Sequence, residues 1–284
     1  RIENGTFTMN NGSIYMENNA LVLGPTIISD VAVAGKMNLR SANIILEGEI
    51  IIQDTLDASD NSNIVFDIDG NITNNGVLQN TSAYYAVARI TGNINNNGEW
   101  IDINTRLFGT GQHEVSLAQG KEFFGESFQA NTGTGITTAL TDLSFRDCTV
   151  DFNDESLVLM GDISLSDGTV KETNISGNNH FLHMANDAVL VNCTVSDIIL
   201  TGKVKVKSDN VFTGELLVED TLMRHSSGNH AITIEGNITN NGVIMNNSSW
   251  DLDITSKGNI VNNGFWDCSL LFINGLSEQQ VGCL

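Results

Sequence analysis

Carboxylates are the side chains of this sequence with the most obvious chemistry. Asp142, Asp147, Asp151 and Asp154 fall close together, and a pair of acids is what general acid–base cleavage of a polysaccharide would need. Such a set also needs a third partner. Arg146 is the only nearby basic residue, so these aspartates read as surface charge and the chain is not expected to be an enzyme. The segments Asp67-Ile68-Asp69-Gly70-Asn71 and Asp57-Ala58-Ser59-Asp60-Asn61 look like fragments of calcium loops. Neither completes one: the EF-hand loop ends in a glutamate, and calcium-binding solenoids place glycine pairs and aspartate at a fixed step. No cofactor is expected, with calcium in one of these turns as the alternative.

His180 and His183 are three residues apart, which puts them on opposite faces of a strand and disfavours a shared metal. None of the four cysteines, Cys148, Cys193, Cys268 and Cys283, belongs to a C-x-x-C pair, and no metal site is expected. Cys148 and Cys193 each open a Cys-Thr-Val triplet. A separation of about two rungs would hold them about 10 Å apart, too far for a disulfide, so both read as buried thiols. Triplets such as Asn71-Ile72-Thr73 and Asn237-Ile238-Thr239 fit the glycosylation pattern, but they recur as part of a repeat and are read as structural.

That repeat sets the elements that must carry all these residues. Gly70-Asn71-Ile72-Thr73-Asn74-Asn75-Gly76 is followed 22 residues later by Gly92-Asn93-Ile94-Asn95-Asn96-Asn97-Gly98. The pair returns, 166 positions on, as Gly236-Asn237-Ile238-Thr239-Asn240-Asn241-Gly242 and Gly258-Asn259-Ile260-Val261-Asn262-Asn263-Gly264. Three short strands with tight corners consume roughly 22 residues, the length of one solenoid coil. The alternation of Ile64, Phe66 and Ile68 with Asp67 and Asp69 gives each strand one apolar face, and Ile232 and Ile234 keep that register in the second copy. The expectation is an all-β, right-handed parallel β-helix (β-solenoid) with about 22-residue coils, handedness following from the crossover rule. Residues 1–284 are expected to form a single continuous solenoid of two tandem copies, 1–167 and 168–284, the second truncated. A one-residue insertion is placed near Ile44 to Leu46, because upstream Ala34-Gly35-Lys36 matches Thr201-Gly202-Lys203 at an offset of 167.

Within this frame the asparagines acquire a role. At Asn75-Gly76, Asn97-Gly98, Asn241-Gly242 and Asn263-Gly264 the residue pair accepts positive φ and suits tight corners. Asn74 stacked over Asn96, and Asn240 over Asn262, would form amide ladders, with Asn71, Asn93, Asn237 and Asn259 in equivalent columns. A rival role, a polar array for ice or crystalline polysaccharide, would need a flat face of repeated threonines, and the threonines are scattered. Trp100 and Trp266 follow the glycine corners in the register of Leu78 and Ile244 and are expected to fill the core. His230 replaces Ile64 of the other copy and is expected at a rung end.

Composition narrows the partners. Asp and Glu number 34 against 13 Lys and Arg, a net charge of −21 that repels nucleic acid and anionic membrane surfaces. No apolar run approaches the roughly 20 residues of a spanning helix, so no membrane insertion is expected. The sequence opens on Arg1 within patterned structure, which is read as a processed or truncated chain.

With Gly-Asn-Ile-Thr-Asn-Asn-Gly-Val at 70–77 and 236–243 and Gly-Glu-Leu-Leu-Val-Glu-Asp-Thr-Leu at 214–222, most of the chain resembles repeat regions of very large Bacteroidetes surface proteins. Such proteins commonly end in a type IX secretion sorting domain, which this sequence lacks. The resemblance implies export to the cell surface or beyond and carries over no catalytic or binding residue. The expected function is a structural or adhesive repeat segment, a stalk or filament. Its partners would be adjacent repeats or head-to-tail copies, and possible surface glycans. The alternative is a carbohydrate-binding or carbohydrate-processing β-helix.

Overall fold

Alternating side chains decide the architecture. In the strand Ile64–Asn74 the residues Ile64, Phe66, Ile68, Ile72 and Asn74 are buried while their neighbours face outward. The computed structural model describes residues 1–131, 137–139, 141–225, 227–247 and 249–283, and among them there is no helix. The described strand pairings are parallel: Ile44 lies beside Phe66 and Phe66 beside Ala88. The chain is a β-solenoid. It divides into two compact units, Arg1–Thr149 and Val150–Leu284, each built this way.

The core of a unit is a set of aliphatic columns. In the first unit Ile50, Ile72, Ile94 and Val115 follow one another in register, each essentially fully buried. In the second, Leu216, Ile238 and Ile260 do the same. Burial of each such side chain contributes about 1.5–3 kcal/mol, which is why the inward parity is kept while outward identity drifts. Aromatic residues fill the wider part of the first unit. Trp100 is buried, donates from Nε1 to Thr105 Oγ1 at 2.9 Å and meets the edge of Phe123 at 5.3 Å. Phe123 in turn stacks on Phe145 at 5.5 Å, and Phe128 packs against both rings. Trp266, its counterpart, is only half-buried and donates to Cys268 Sγ, so core filling holds for one tryptophan of the pair.

Coil length is less uniform than the 22-residue expectation. The period of 22 holds from Ile44 to Phe66 and from Ile64 to Ala86 in the first unit, and from Asn210 to Ile232 and His230 to Leu252 in the second. Elsewhere a coil closes in as few as 16 residues, Val189 to Lys205, or as many as 24, His113 to Thr137. The difference is absorbed at two one-residue register shifts, between Ser29 and Ala32 and between Ser196 and Ile198, and between the paired segments, at corners where a loop can lengthen without disturbing the core. The inserted residue of the first copy lies there too. The strand Ile2–Leu39 is joined to Ile44–Ile52 through residues 40–43, whereas Thr194–Lys207 reaches Asn210–Val218 through residues 208–209. That places it immediately before Ile44 to Leu46, near which it was expected; those three residues are themselves strand.

The corner glycines also act differently from expectation. Gly76, Gly98, Gly242 and Gly264 do not adopt left-handed φ; a Cβ on any of them would lie 2.0 Å from the carbonyl oxygen of the preceding rung. Close approach of stacked backbones demands glycine here. Left-handed φ is found instead at the other corner, at Asp30, Gly48, Asp197 and Gly214, where short polar or absent side chains permit it.

Candidate functional site

Three hydrogen-bonded columns run along the repeated rungs. The inner one is buried at Asn74, Asn96 and Asn240. Asn74 Nδ2 donates to Asn96 Oδ1 and to the Glu99 carbonyl, both at 2.8 Å, while Asn74 Oδ1 accepts from Gly76 N at 3.2 Å. Asn96 Oδ1 likewise accepts from Gly98 N. The second unit repeats the set: Asn240 Nδ2 donates to Asn262 Oδ1 at 2.7 Å and to the Phe265 carbonyl, and Asn240 Oδ1 accepts from Gly242 N. The column in the first unit is two amides deep, because Ile52 precedes Asn74 and Leu117 follows Asn96 in register. Asn96 Nδ2 is accordingly buried without a partner.

The outer column runs the other way. Asn97 Nδ2 donates back to Asn75 Oδ1 at 2.9 Å, and Asn263 Nδ2 to Asn241 Oδ1 at 2.8 Å, with Asn241 continuing to Glu219. The third column links side chain to backbone. Asn71 Nδ2 donates to Glu49, Asn71 Oδ1 accepts from Asn93 N, and Asn93 Oδ1 accepts from Glu114 N. Asn237, Asn259 and Gln280 repeat this in the second unit, with Asn237 donating to Glu215. At the head of the column Asp30 accepts from Glu49 N, and Asp197 from Glu215 N.

Beside the third column each unit has a shallow outward groove. In the first it has a volume of about 290 Å³ and is lined by Glu49, Asn71, Thr73, Asn93, Asn95 and Glu114. In the second, about 400 Å³, the equivalent positions are Glu215, Asn237, Thr239, Asn259, Val261 and Gln280. Sequence reasoning placed Asn71, Asn93, Asn237 and Asn259 in the ladder but missed the grooves. Their signal was the second outward residue of each rung, Thr73 and Thr239, two positions after the asparagine.

The other candidate residues find partners inside the rungs. Asp67 takes Arg89 in a two-point ion pair, Asp69 accepts from Thr91, and buried Asp57 accepts from Thr81 and pairs with Lys36 at 3.0 Å. Arg146 is bound to Glu122 at 2.6 Å, which raises its pKa, and lies over the Phe124 ring. Asp151 pairs with Lys171 at 2.7 Å. Asp147 and Asp154 are left-handed corner residues, and Asp142 is exposed. Among the described residues no cluster of three His, Cys, Asp or Glu side chains is set to hold a metal. Nor is any helix long and apolar enough to cross a membrane.

His180, just before the strand Phe181–Ala185, faces Asp162 at 3.4 Å, and His183 within it meets Thr201 Oγ1. All four cysteines are free thiols. Burial pushes Cys148 up to about 12 and Cys193 up to about 11, which keeps both protonated and unreactive at neutral pH.

His230 opens its strand, as a rung-end residue would, and accepts from Ser208 N at 3.2 Å. Burial lowers its pKa, so below about 6.5 the unfolded chain takes up a proton that the folded one resists, and stability falls with pH in that range. His230→Ile restores the residue of the first copy. At pH 8 the gain from aliphatic burial is offset by the loss of the acceptor for Ser208 N, so the variant is expected within about 1 kcal/mol of wild type. Relative to wild type it should gain stability between pH 7 and pH 5, measured as the difference between the two melting curves.

No family model, curated protein or solved structure matches this chain.

Proposed function

We propose that this solenoid is a structural or adhesive segment of an extracellular surface protein, a stalk or filament, with no catalytic site of its own. One observation carries the reading: the polar side chains of the repeated rungs hydrogen-bond to the equivalent position one coil away. Arg89–Asp67, Lys121–Glu99, Lys257–Glu235 and Asn71–Glu49 are all 22 residues apart. An acid–base catalyst needs proton-transfer groups aimed at one reacting bond, whereas these groups are engaged with one another along the stack. A net charge of −21 disfavours nucleic acid and favours a hydrated, non-aggregating surface. Its partners would be neighbouring repeats or head-to-tail copies.

Protease shaving of intact cells that make the parent protein tests the location. Peptides of this chain should be released before lysis; their recovery from the lysate alone would reject an extracellular segment. A second reading, carbohydrate binding, is favoured specifically by the two matching grooves.

A further inference from the structure

We propose that the two equivalent grooves each hold a segment of an uncharged, hydroxyl-rich polysaccharide, one beside Glu49, Asn71, Thr73 and Asn93, the other beside Glu215, Asn237, Thr239 and Asn259. This rests on the carbohydrate-binding reading and assigns it a place. The first argument is preorganisation. Asn71 is fixed by Glu49 on one side and by Asn93 N on the other, and Asn237 by Glu215 and Asn259 N, so the polar edge of each groove is rigid before any ligand arrives.

The second argument is unused capacity. Among the described residues Thr73 Oγ1, Thr239 Oγ1, Asn93 Nδ2, Asn259 Nδ2 and the Glu114 carboxylate make no hydrogen bond within the protein. An amide donor and a hydroxyl in each groove, with a carboxylate acceptor in the first, suit a ligand whose own groups both donate and accept, as sugar hydroxyls do. Equivalent groups recur at about 4.8 Å along the stack, close to the length of one pyranose in an extended chain.

The third argument is selectivity. The first groove is rimmed by Glu49 and Glu114 and lined by no basic residue, so uronates and sulfated sugars are repelled. A peptide strand has nothing to pair with there, because the rung backbones are already bonded above and below. The duplication supports a shared role. Glu, Asn, Thr and Asn recur at these four positions, whereas the neighbouring groove positions Asn95 and Glu114 become Val261 and Gln280 and outward residues such as Asp67, Arg89 and Glu99 become Thr233, Thr255 and Phe265.

The test is affinity electrophoresis of the whole chain in native gels containing hydroxyethyl cellulose, galactomannan or polygalacturonate. Retardation by at least one neutral polymer and none by polygalacturonate is expected. Thr73→Lys with Thr239→Lys should weaken binding at least tenfold with an unchanged melting curve, and each single variant should retain partial binding. If the lysines disturb folding, the isosteric pair Thr73→Val and Thr239→Val should still weaken binding at least threefold. Retardation that survives both pairs would leave carbohydrate binding standing and remove the grooves from it. No retardation by either neutral polymer, or equal retardation by polygalacturonate, would overturn the proposal.

Discussion

Gly98→Ala is expected to destabilise the first unit by about 3 kcal/mol, at the upper end of what overpacking a core costs. The substitution adds one methyl group at a backbone conformation that does not require glycine. The methyl carbon would lie 2.0 Å from Gly76 O and 2.8 Å from Gly76 C, so two rungs would have to separate. They cannot do so locally, because Glu99 N donates to Gly76 O and Asn97 N to Asn74 O across the same gap, at 2.8 and 2.7 Å. Gly111→Ala provides the control: that glycine is exposed, its φ is not left-handed and nothing lies within 4 Å of its added carbon. The control should stay within about 0.5 kcal/mol of wild type. Hydrogen exchange of peptides spanning residues 70–101 reads the loss locally, and equal protection in the two variants would refute the close-approach account.

Removing the buried amide should have a comparable effect by a different route. Asn74→Ala leaves Gly76 N without its side-chain acceptor and withdraws a donor from both Asn96 Oδ1 and the Glu99 carbonyl. Buried groups left unpaired cost about 1–3 kcal/mol each, and a total of about 3 kcal/mol is expected after partial relaxation. Asn74→Asp separates shape from hydrogen bonding. The carboxylate can still accept from Gly76 N, but its other oxygen faces Asn96 Oδ1 and the Glu99 carbonyl in a fully buried site. The introduced acid is therefore held protonated in the fold. At pH 7 it should be more damaging than alanine, and it should recover as pH falls towards the unfolded carboxyl value of about 3.9. Denaturation of both variants at pH 7 and pH 4.5 checks this; an Asp variant as stable as wild type at pH 7 would mean the inner column contributes nothing.

The parallel stack was legible in the sequence because the buried columns are built from identical residues at a fixed offset. Asn74 and Asn96, or Ile72 and Ile94, are in register in the structure as in the sequence. The uneven coils were not legible. Between Ser156 and Lys207 no triplet repeats at a constant step, since those turns are held by aliphatic packing that tolerates corners of different length. The glycines were misread for a related reason: a glycine required by left-handed φ and one required by a neighbouring carbonyl look alike in sequence, and only the stacked backbone distinguishes them. The grooves escaped notice because each is formed by outward residues from three or more rungs. No single segment carries their pattern.

Among the described residues of each unit, the strands of a turn pair with those of the turns before and after it. Tension drawn along the chain would therefore peel a unit turn by turn, and each release would lengthen the tether by the contour of a single coil. Extensions would be longest where 22 or more residues close the loop and shortest around Val189 to Lys205. A sawtooth recorded on one molecule would thus spell out the coil lengths in the order in which the turns let go.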